Sequence, residues 1–314
     1  MKNDQMCNNF YGSTSRNLSR KAGRLRLLYL FVKTYKNWIY LIPRIYSRKY
    51  QTKASLRNGS EIIITKHSQA SLIAYSSVMK MNIDAKNDTV ILRYGNKDLR
   101  FKGAFFDGDI LGIFIYGEYK NLHVSGCTVI DVGANIGDSA IYFAENGAIR
   151  VLAIEPFPVT YNKLLENIQI NGYQNLITPI NAVVSGSKSV LKLNDKLNSI
   201  GPSQAVEVNE GVPIESLTLR DLLGDIKGDV VLKMDCEGCE YDVFEEATQQ
   251  EITAFKEIIL EFHNGRPENI IKRLNNFWVT VRGKNYGIIY AINKGRVDED
   301  GKNIKEGIYV GLDL

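Results

Sequence analysis

Four short stretches hold residue types and spacings that can do chemistry. The first is Asp131-Val132-Gly133-Ala134-Asn135-Ile136-Gly137-Asp138-Ser139, which follows the apolar run at 128–130 and precedes a helical pattern. Glycines at a strand-to-helix turn let a ligand approach the backbone, and the helix start offers free N–H groups. Asp138 or Ser139 is placed to cap that helix. The glycine spacing is Gly-x-x-x-Gly, not Gly-x-Gly-x-x-Gly, and no Gly-Lys-Ser/Thr follows, so a P-loop is excluded. A carboxylate at Asp131 would repel a pyrophosphate and attract an ammonium group. That charge argument favours S-adenosylmethionine over a dinucleotide. The second stretch is Glu155-Pro156, 18 residues past Gly137, at the end of the next apolar run. An acid there is where a doubly wound fold grips ribose hydroxyls.

The third stretch is Leu232-Lys233-Met234-Asp235-Cys236-Glu237-Gly238-Cys239-Glu240. Its three carboxylates repel one another, so at least one is expected to have the raised pKa of a general base. The competing reading is that Glu237 and Glu240 only favour the N-terminus of the following helix. Cys236 and Cys239 lack the Trp-Cys-Gly-Pro context of a redox motif and a second pair for zinc, so they read as core fillers. The fourth stretch, at 258–265, is a buried-strand pattern ending in Glu261, Phe262 and His263. His263 can take a hydroxyl proton near neutral pH, or can be a hydrogen-bonded structural histidine. A metal held by Asp235, Glu237, Glu261 and His263 is conceivable, but none is expected.

These residues need a scaffold that brings strand ends together. From Thr128 onward, short apolar strands alternate with helical segments, the signature of a parallel sheet with crossover helices. Strands are expected near 128–132, 150–154, 176–181, 229–234 and 256–261. Helices are expected near 138–146, 158–171, 217–223, 240–248 and 267–275. Strand-like stretches at 277–282, 286–291 and 307–312 follow, and 185–209 reads as an inserted hairpin. The fold class is therefore α/β: a Rossmann-like, doubly wound, mostly parallel sheet with an antiparallel edge strand. Three segments are expected: a basic N-terminal arm with an amphipathic helix (1–53), a β-rich lead-in (54–120) and the catalytic domain (121–314). Within the lead-in, Arg57-Asn58-Gly59 and Gly95-Asn96-Lys97 are turn signals.

The chain has 314 residues and a net charge of +4, unevenly spread. Residues 1–57 hold 13 Lys or Arg against one acid, leaving 26 against 34 and a net of −8 for the rest. A basic arm on an acidic body points to an anionic partner, either a membrane surface or nucleic acid. In residues 25–46, Leu28, Phe31, Tyr35, Trp38, Ile42 and Ile45 form a helical apolar stripe, which Pro43 is expected to kink or end. Lys33, Lys36 and Arg44 interrupt it, so no run reaches the ~18–20 apolar residues of a membrane span. The stripe either lies in a membrane surface or packs on the main domain. Four cysteines make no disulfide framework, and no secretory signal is visible, so a cytoplasmic protein is expected, with peripheral membrane contact left as one of the two readings of the stripe.

The motifs together resemble the FkbM-type methyltransferases. The resemblance rests on V-I-D-V-G-A-N-I-G-D-S at 129–139, E-P at 155–156, E-N-I-x-x-N at 166–171, L-K-M-D-C-E-G-C-E at 232–240 and Glu261-x-His263. It covers about residues 110–290 and implies a class I methyltransferase fold with S-adenosylmethionine as donor. The usual acceptor it implies is a hydroxyl on a sugar, glycan or complex small molecule. Residue by residue, it implies that Asp131, Gly133, Asn135, Gly137 and Asp138 contact the methionine end. Glu155 would hold the ribose, Asn181 and Ala182 would lie beside adenine, and Asp235 and Glu237 would line the transfer site. Cys236 and Cys239 depart from the small aliphatic residues usual there. Two other readings remain: an RNA methyltransferase clamped by the basic arm, and a non-catalytic membrane-associated binding protein. Against the first, the chain has no Pro-Pro and so lacks the Asn/Asp-Pro-Pro-aromatic turn that stacks an exocyclic amine. Nucleic acid is not the expected acceptor.

Overall fold

The computed structural model describes residues 16–46, 51–193, 212–224, 226–263, 265, 267–283 and 285–296. Among the described residues two helices come first, α1 (Arg16–Thr34) and α2 (Trp38–Tyr46). The stripe expected over residues 25–46 is thus split, and the break lies before Pro43, which sits inside α2. Tyr35 causes it by leaving the helix to form a bridge with Leu56. Its ring is fully buried, and its hydroxyl donates to the Ala70 carbonyl at 2.8 Å. Of the other stripe residues, Phe31 is buried and Trp38 and Ile42 pack in part against the core, while Leu28 is 40% exposed, so part of the stripe packs on the protein.

The lead-in contains two antiparallel units. Strands β1 (Thr52–Ser55) and β2 (Glu61–Ile64) pair across the Asn58-Gly59 turn. Helix α3 (His67–Ser76) follows, then the meander β3 (Met81–Asp84), β4 (Thr89–Tyr94) and β5 (Lys97–Lys102). Helix α3 departs from the β-rich expectation. Residues 69–75 are all buried, so no polar face exposes the helical period. A π-helical turn at Leu111–Tyr116 leads into the main sheet.

The main sheet follows the expected alternation closely. In chain order it runs β6 (Thr128–Val132), α4 (Asp138–Glu145), β7 (Arg150–Ile154), α5 (Pro158–Asn171) and β8 (Ile177–Ile180). The short strands β9 (Val183–Val184), β10 (Val190–Leu193) and β11 (Val212–Leu217) form a side sheet. Strand β11 corrects two expectations. The partner of β10 lies beyond residue 209, and position 217 is strand rather than helix start. Helix α6 (Leu219–Leu223) begins only after Thr218, whose side chain accepts from the Asp221 amide. The chain continues through β12 (Val230–Met234), α7 (Cys239–Glu246), the short α8 (Gln249–Thr253) and β13 (Phe255–His263). Helix α9 (Pro267–Arg273) and the hairpin β14 (Phe277–Gly283) and β15 (Tyr286–Asn293) close it. The strand expected at 307–312 lies outside the described residues.

The seven strands lie in the order β14-β15-β13-β12-β6-β7-β8. Strands β13, β12, β6, β7 and β8 are parallel, and β15 runs antiparallel to both its neighbours. The chain winds outward from β6 through β7 to β8, then crosses to the other side of β6 for β12. The switch point therefore falls between β6 and β12, where such sheets open a crevice beyond their carboxyl ends.

Alternate residues build two cores. Val129, Val151, Val231 and Ile259 belong to one, shared with Leu30, Phe31, Phe101 and Ile141. Ile130, Leu152, Leu232 and Ile258 belong to the other, with Phe244 and Ile270. One face is thus covered partly by the lead-in, the other by α7 and α9.

Candidate functional site

The glycine turn sits at the switch point and is held from both sides. Gly133 (φ +74°), Asn135 (φ +48°) and Gly137 (φ +91°) take left-handed conformations. A Cβ on Gly133 would lie 1.8 Å from the Asp235 carbonyl oxygen, so only glycine lets this turn rest on the end of β12. A Cβ on Gly137 would meet Leu164 of α5 at 2.7 Å.

Asp131 is not free to receive a ligand's ammonium group. The register of β6 and β12 sets Lys233 directly beside it. Lys233 Nζ lies 3.0 Å from Asp131 Oδ1, with side-chain exposures of 2% and 0%. Ser139 Oγ donates to the other Asp131 oxygen at 2.7 Å. The charge that was expected to select the cofactor is thus neutralised within the protein. Lys233 Nζ also donates to the carbonyls of Val132 (3.2 Å) and Gly133 (2.7 Å), so the pair shapes the turn. The sequence signal for Lys233 was a lysine in a strand of otherwise apolar residues, all of them buried.

Neither Asp138 nor Ser139 caps α4, because Gly137 occupies the cap position. Asp138 instead accepts the Asp109 amide at 2.7 Å, and burial pushes its carboxyl up to about 7. The Asn135 side chain donates to the Asp107 carbonyl at 2.8 Å. Both contacts tie the turn to the segment that precedes β6.

Glu155 lies at the carboxyl end of β7, buried, with its two oxygens accepting the amides of Asn135 and Phe157, each at 3.0 Å. Burial pushes it up to about 7, against the pull of those two amides. Each oxygen keeps a lone pair for a ribose hydroxyl. Asn181 donates to the Glu155 and Pro156 carbonyls at 2.9 and 3.0 Å, and Ala182 is buried next to it. The structure therefore brings Gly133, Asn135, Glu155, Asn181 and Ala182 to adjoining strand ends.

On the β12 side the crevice is acidic. Glu118, Tyr119, Met234, Asp235, Glu261 and Ile288 line a cleft there. The Glu118 carboxyl feels Asp109 beside it, and the Glu261 carboxyl feels Asp235. Burial, then the neighbouring acids, push Glu118 up to about 7 and Glu261 up to about 8. Asp109 and Glu118 come from the lead-in, which offered no motif to read. Lys233 offsets this cluster, but it is already paired with Asp131. S-adenosylmethionine, with its ammonium and sulfonium, brings net positive charge to it, while Glu155 offers the ribose contact. The residues present fit that cofactor.

Asp235, Glu237 and His263 meet at the ends of β12 and β13. His263 Nε2 lies 3.4 Å from Glu237 Oε2 and 4.0 Å from Asp235 Oδ1. Burial raises the Glu237 carboxyl, while His263 opposes the shift. Glu240 is fully buried, and its Oε1 accepts the Cys236 amide at 3.0 Å, so it is more than a helix-favouring charge. Cys236 and Cys239 form a disulfide, contrary to their reading as core fillers. The bond spans Glu237 (φ +59°) and Gly238 (φ +125°), and so pins the turn that presents Glu237. The i, i+3 spacing on a turn entering a helix was the available signal.

Residues 131–286 match the methyltransferase FkbM domain family. Among solved structures, the methyltransferase FkbM from Methylobacillus flagellatus is 17% identical, with a TM-score of 0.42, covering 56% of this chain and 46% of that one. This chain thus spans less than half the length of that relative. Trm5b from Pyrococcus abyssi is 15% identical, with a TM-score of 0.37, covering 72% of this chain and 68% of that one. A methyltransferase from Geobacter sulfurreducens is 17% identical, with a TM-score of 0.34 and coverages of 53% and 71%. No curated protein matches the chain.

Proposed function

This chain carries a methyltransferase FkbM domain, whose fold implies S-adenosylmethionine as cofactor, and we propose that it transfers a methyl group to a hydroxyl of a sugar, glycan or complex small molecule. The observation that carries this reading is the meeting of Asp235, Glu237 and His263 at the strand ends beside the glycine turn. When bound, the cofactor supplies a methyl group already activated by its sulfonium. The protein's part is to hold Glu155 against the ribose, keep the turn open at Gly133, and align an acceptor oxygen. In the transfer a C–O bond forms, the C–S bond breaks, and the hydroxyl proton leaves to a nearby base. Asp235, Glu237 and His263 are the groups in place to accept it.

Calorimetry with S-adenosylhomocysteine tests the cofactor, and a tritiated-methyl assay on cell fractions tests the acceptor. Label entering glycan or small-molecule fractions supports the reading. Label entering RNA alone, with an affinity that falls steeply with salt, would replace it with the nucleic-acid alternative. No binding of either cofactor form would leave a non-catalytic binding protein.

We further propose that the arm touches a membrane surface. Leu25, Tyr29, Ile39 and Tyr40 are 50–70% exposed on α1 and α2. The Arg44 guanidinium stacks 3.6 Å from the Tyr40 ring centroid, a cation beside an exposed aromatic. Among the described residues, no helix is long and apolar enough to cross a membrane. This supports contact in the plane of the surface.

A further inference from the structure

We propose that Asp235, Glu237 and His263 form a binding site for one divalent cation. One oxygen from each carboxylate and a ring nitrogen of His263 all lie within 4.8 Å of one another. Two donors on a common cation at about 2.1 Å stand about 3 Å apart at a right angle and about 4.2 Å apart when opposite. The observed 3.4 Å from His263 Nε2 to Glu237 Oε2 and 4.0 Å to Asp235 Oδ1 fall in that span. Both are too long for direct hydrogen bonds.

The unmet needs of these groups point the same way. The His263 side chain is only 9% exposed, and its Nδ1 has no hydrogen-bond partner. Asp235 Oδ1 is likewise without a hydrogen-bond partner. A cation between the side chains would give the unpaired Asp235 oxygen a partner and would take Nε2 as its nitrogen donor. On the far side of the ring, Nδ1 faces Glu240 Oε1 at 4.0 Å, from a carboxylate with no exposure. A carboxylate behind the ligating imidazole is the usual way a metal-bound histidine is oriented. Glu240 is therefore a positioning residue, and the disulfide holds Glu237 where the site needs it. Mixed oxygen and imidazole donors suit manganese or zinc better than magnesium or calcium. The inference rests on the methyl-transfer reading only for what fills the remaining positions. With an ion bound, an acceptor hydroxyl on it would have its pKa lowered, and its proton would leave to solvent instead of to Asp235, Glu237 or His263, which would then hold the ion.

The test is a manganese titration of chelator-stripped full-length protein, followed by electron paramagnetic resonance. One ion per chain is expected, with nitrogen modulation from an imidazole in the spin-echo spectrum. Asp235→Asn, Glu237→Gln and His263→Gln should each weaken binding by about tenfold or more, and Glu240→Gln by less. Circular dichroism on the same stocks checks folding, and the nitrogen modulation in the unaltered protein needs no variant. Failure of that protein to bind either manganese or zinc, or a bound ion without nitrogen coupling, overturns the site. So does wild-type affinity in Glu237→Gln. S-adenosylmethionine binding is measured in parallel: ion binding without cofactor binding removes the methyl-transfer reading and leaves the cation site standing.

Discussion

Replacing Lys233 with methionine should be among the most damaging single changes in the chain. The side chains are similar in length, so the substitution removes charge rather than bulk. Asp131 would keep only the Ser139 hydroxyl, in a place with no exposure to water. Breaking a buried pair by deleting one partner costs about 3–5 kcal/mol. The carbonyls of Val132 and Gly133 lose a donor as well, worth about 1 kcal/mol each. The sum is about 5–7 kcal/mol, or a fall in melting temperature of about 10–28 °C at about 2–4 °C per kcal/mol. Urea unfolding measures the loss, and calorimetry with S-adenosylmethionine reads the turn's geometry. In Asp131→Asn/Lys233→Met no unpaired charge remains, so the double variant should lose less than Lys233→Met alone. A Lys233→Met loss within about 1 kcal/mol of zero, or a double-variant loss equal to the sum of the singles, would refute the reasoning.

Glu155→Gln should weaken S-adenosylmethionine binding by about ten- to a hundredfold, since the amide cannot accept from both ribose hydroxyls; this is about 1.4–2.7 kcal/mol by calorimetry. Unchanged affinity would remove Glu155 from the cofactor site. Thermal stability should fall as pH rises from about 5 to about 8. Asp138, Glu118 and Glu155 are pushed up to about 7 and Glu261 up to about 8, whereas the unfolded chain loses those protons near pH 4. Over that window the folded state binds more protons, so the unfolding free energy drops as they leave; a rising melting temperature would contradict the assigned burial. Reducing the Cys236–Cys239 disulfide should cost about 2 kcal/mol on the loop-entropy scale. The check is a lower urea midpoint with reductant that Cys236→Ser/Cys239→Ser reproduces without it. Flotation with anionic vesicles should fall when Leu25, Tyr29, Ile39 and Tyr40 become serine, and flotation equal to wild type would exclude the arm.

The C-terminal half was legible because its strands are buried on both faces and end in acids. Strands β6 and β7 lie where continuous apolar runs placed them, and β12 and β13 differ by a residue or two, since such runs cannot slip register without burying their polar ends. Glu155 and the glycine turn were legible for the same reason: polar residues and tight turns gather where an apolar run stops. Two kinds of feature escaped. Helix α3 is buried all round, so its sequence lacks the alternation that distinguishes helix from strand. The other kind depends on distant pairing. Lys233 meets Asp131 across about a hundred residues, and Asp109 and Glu118 reach Asp235 from the lead-in. Local spacing carries no trace of such contacts. The charge argument for Asp131 failed on this point, because it counted an acid without its partner.

The apolar layer shared by Leu30, Phe31, Phe101, Ile141, Val151 and Ile259 has a practical corollary. A shortened protein beginning near residue 121 would strip Leu30, Phe31 and Phe101 from the layer that holds Ile141, Val151 and Ile259 and open part of that face to water. It would also lose Asp109 and Glu118 from the mouth of the crevice. The front of the chain is therefore no detachable handle, and grafting the rear half onto another protein would transplant a crevice with one wall missing.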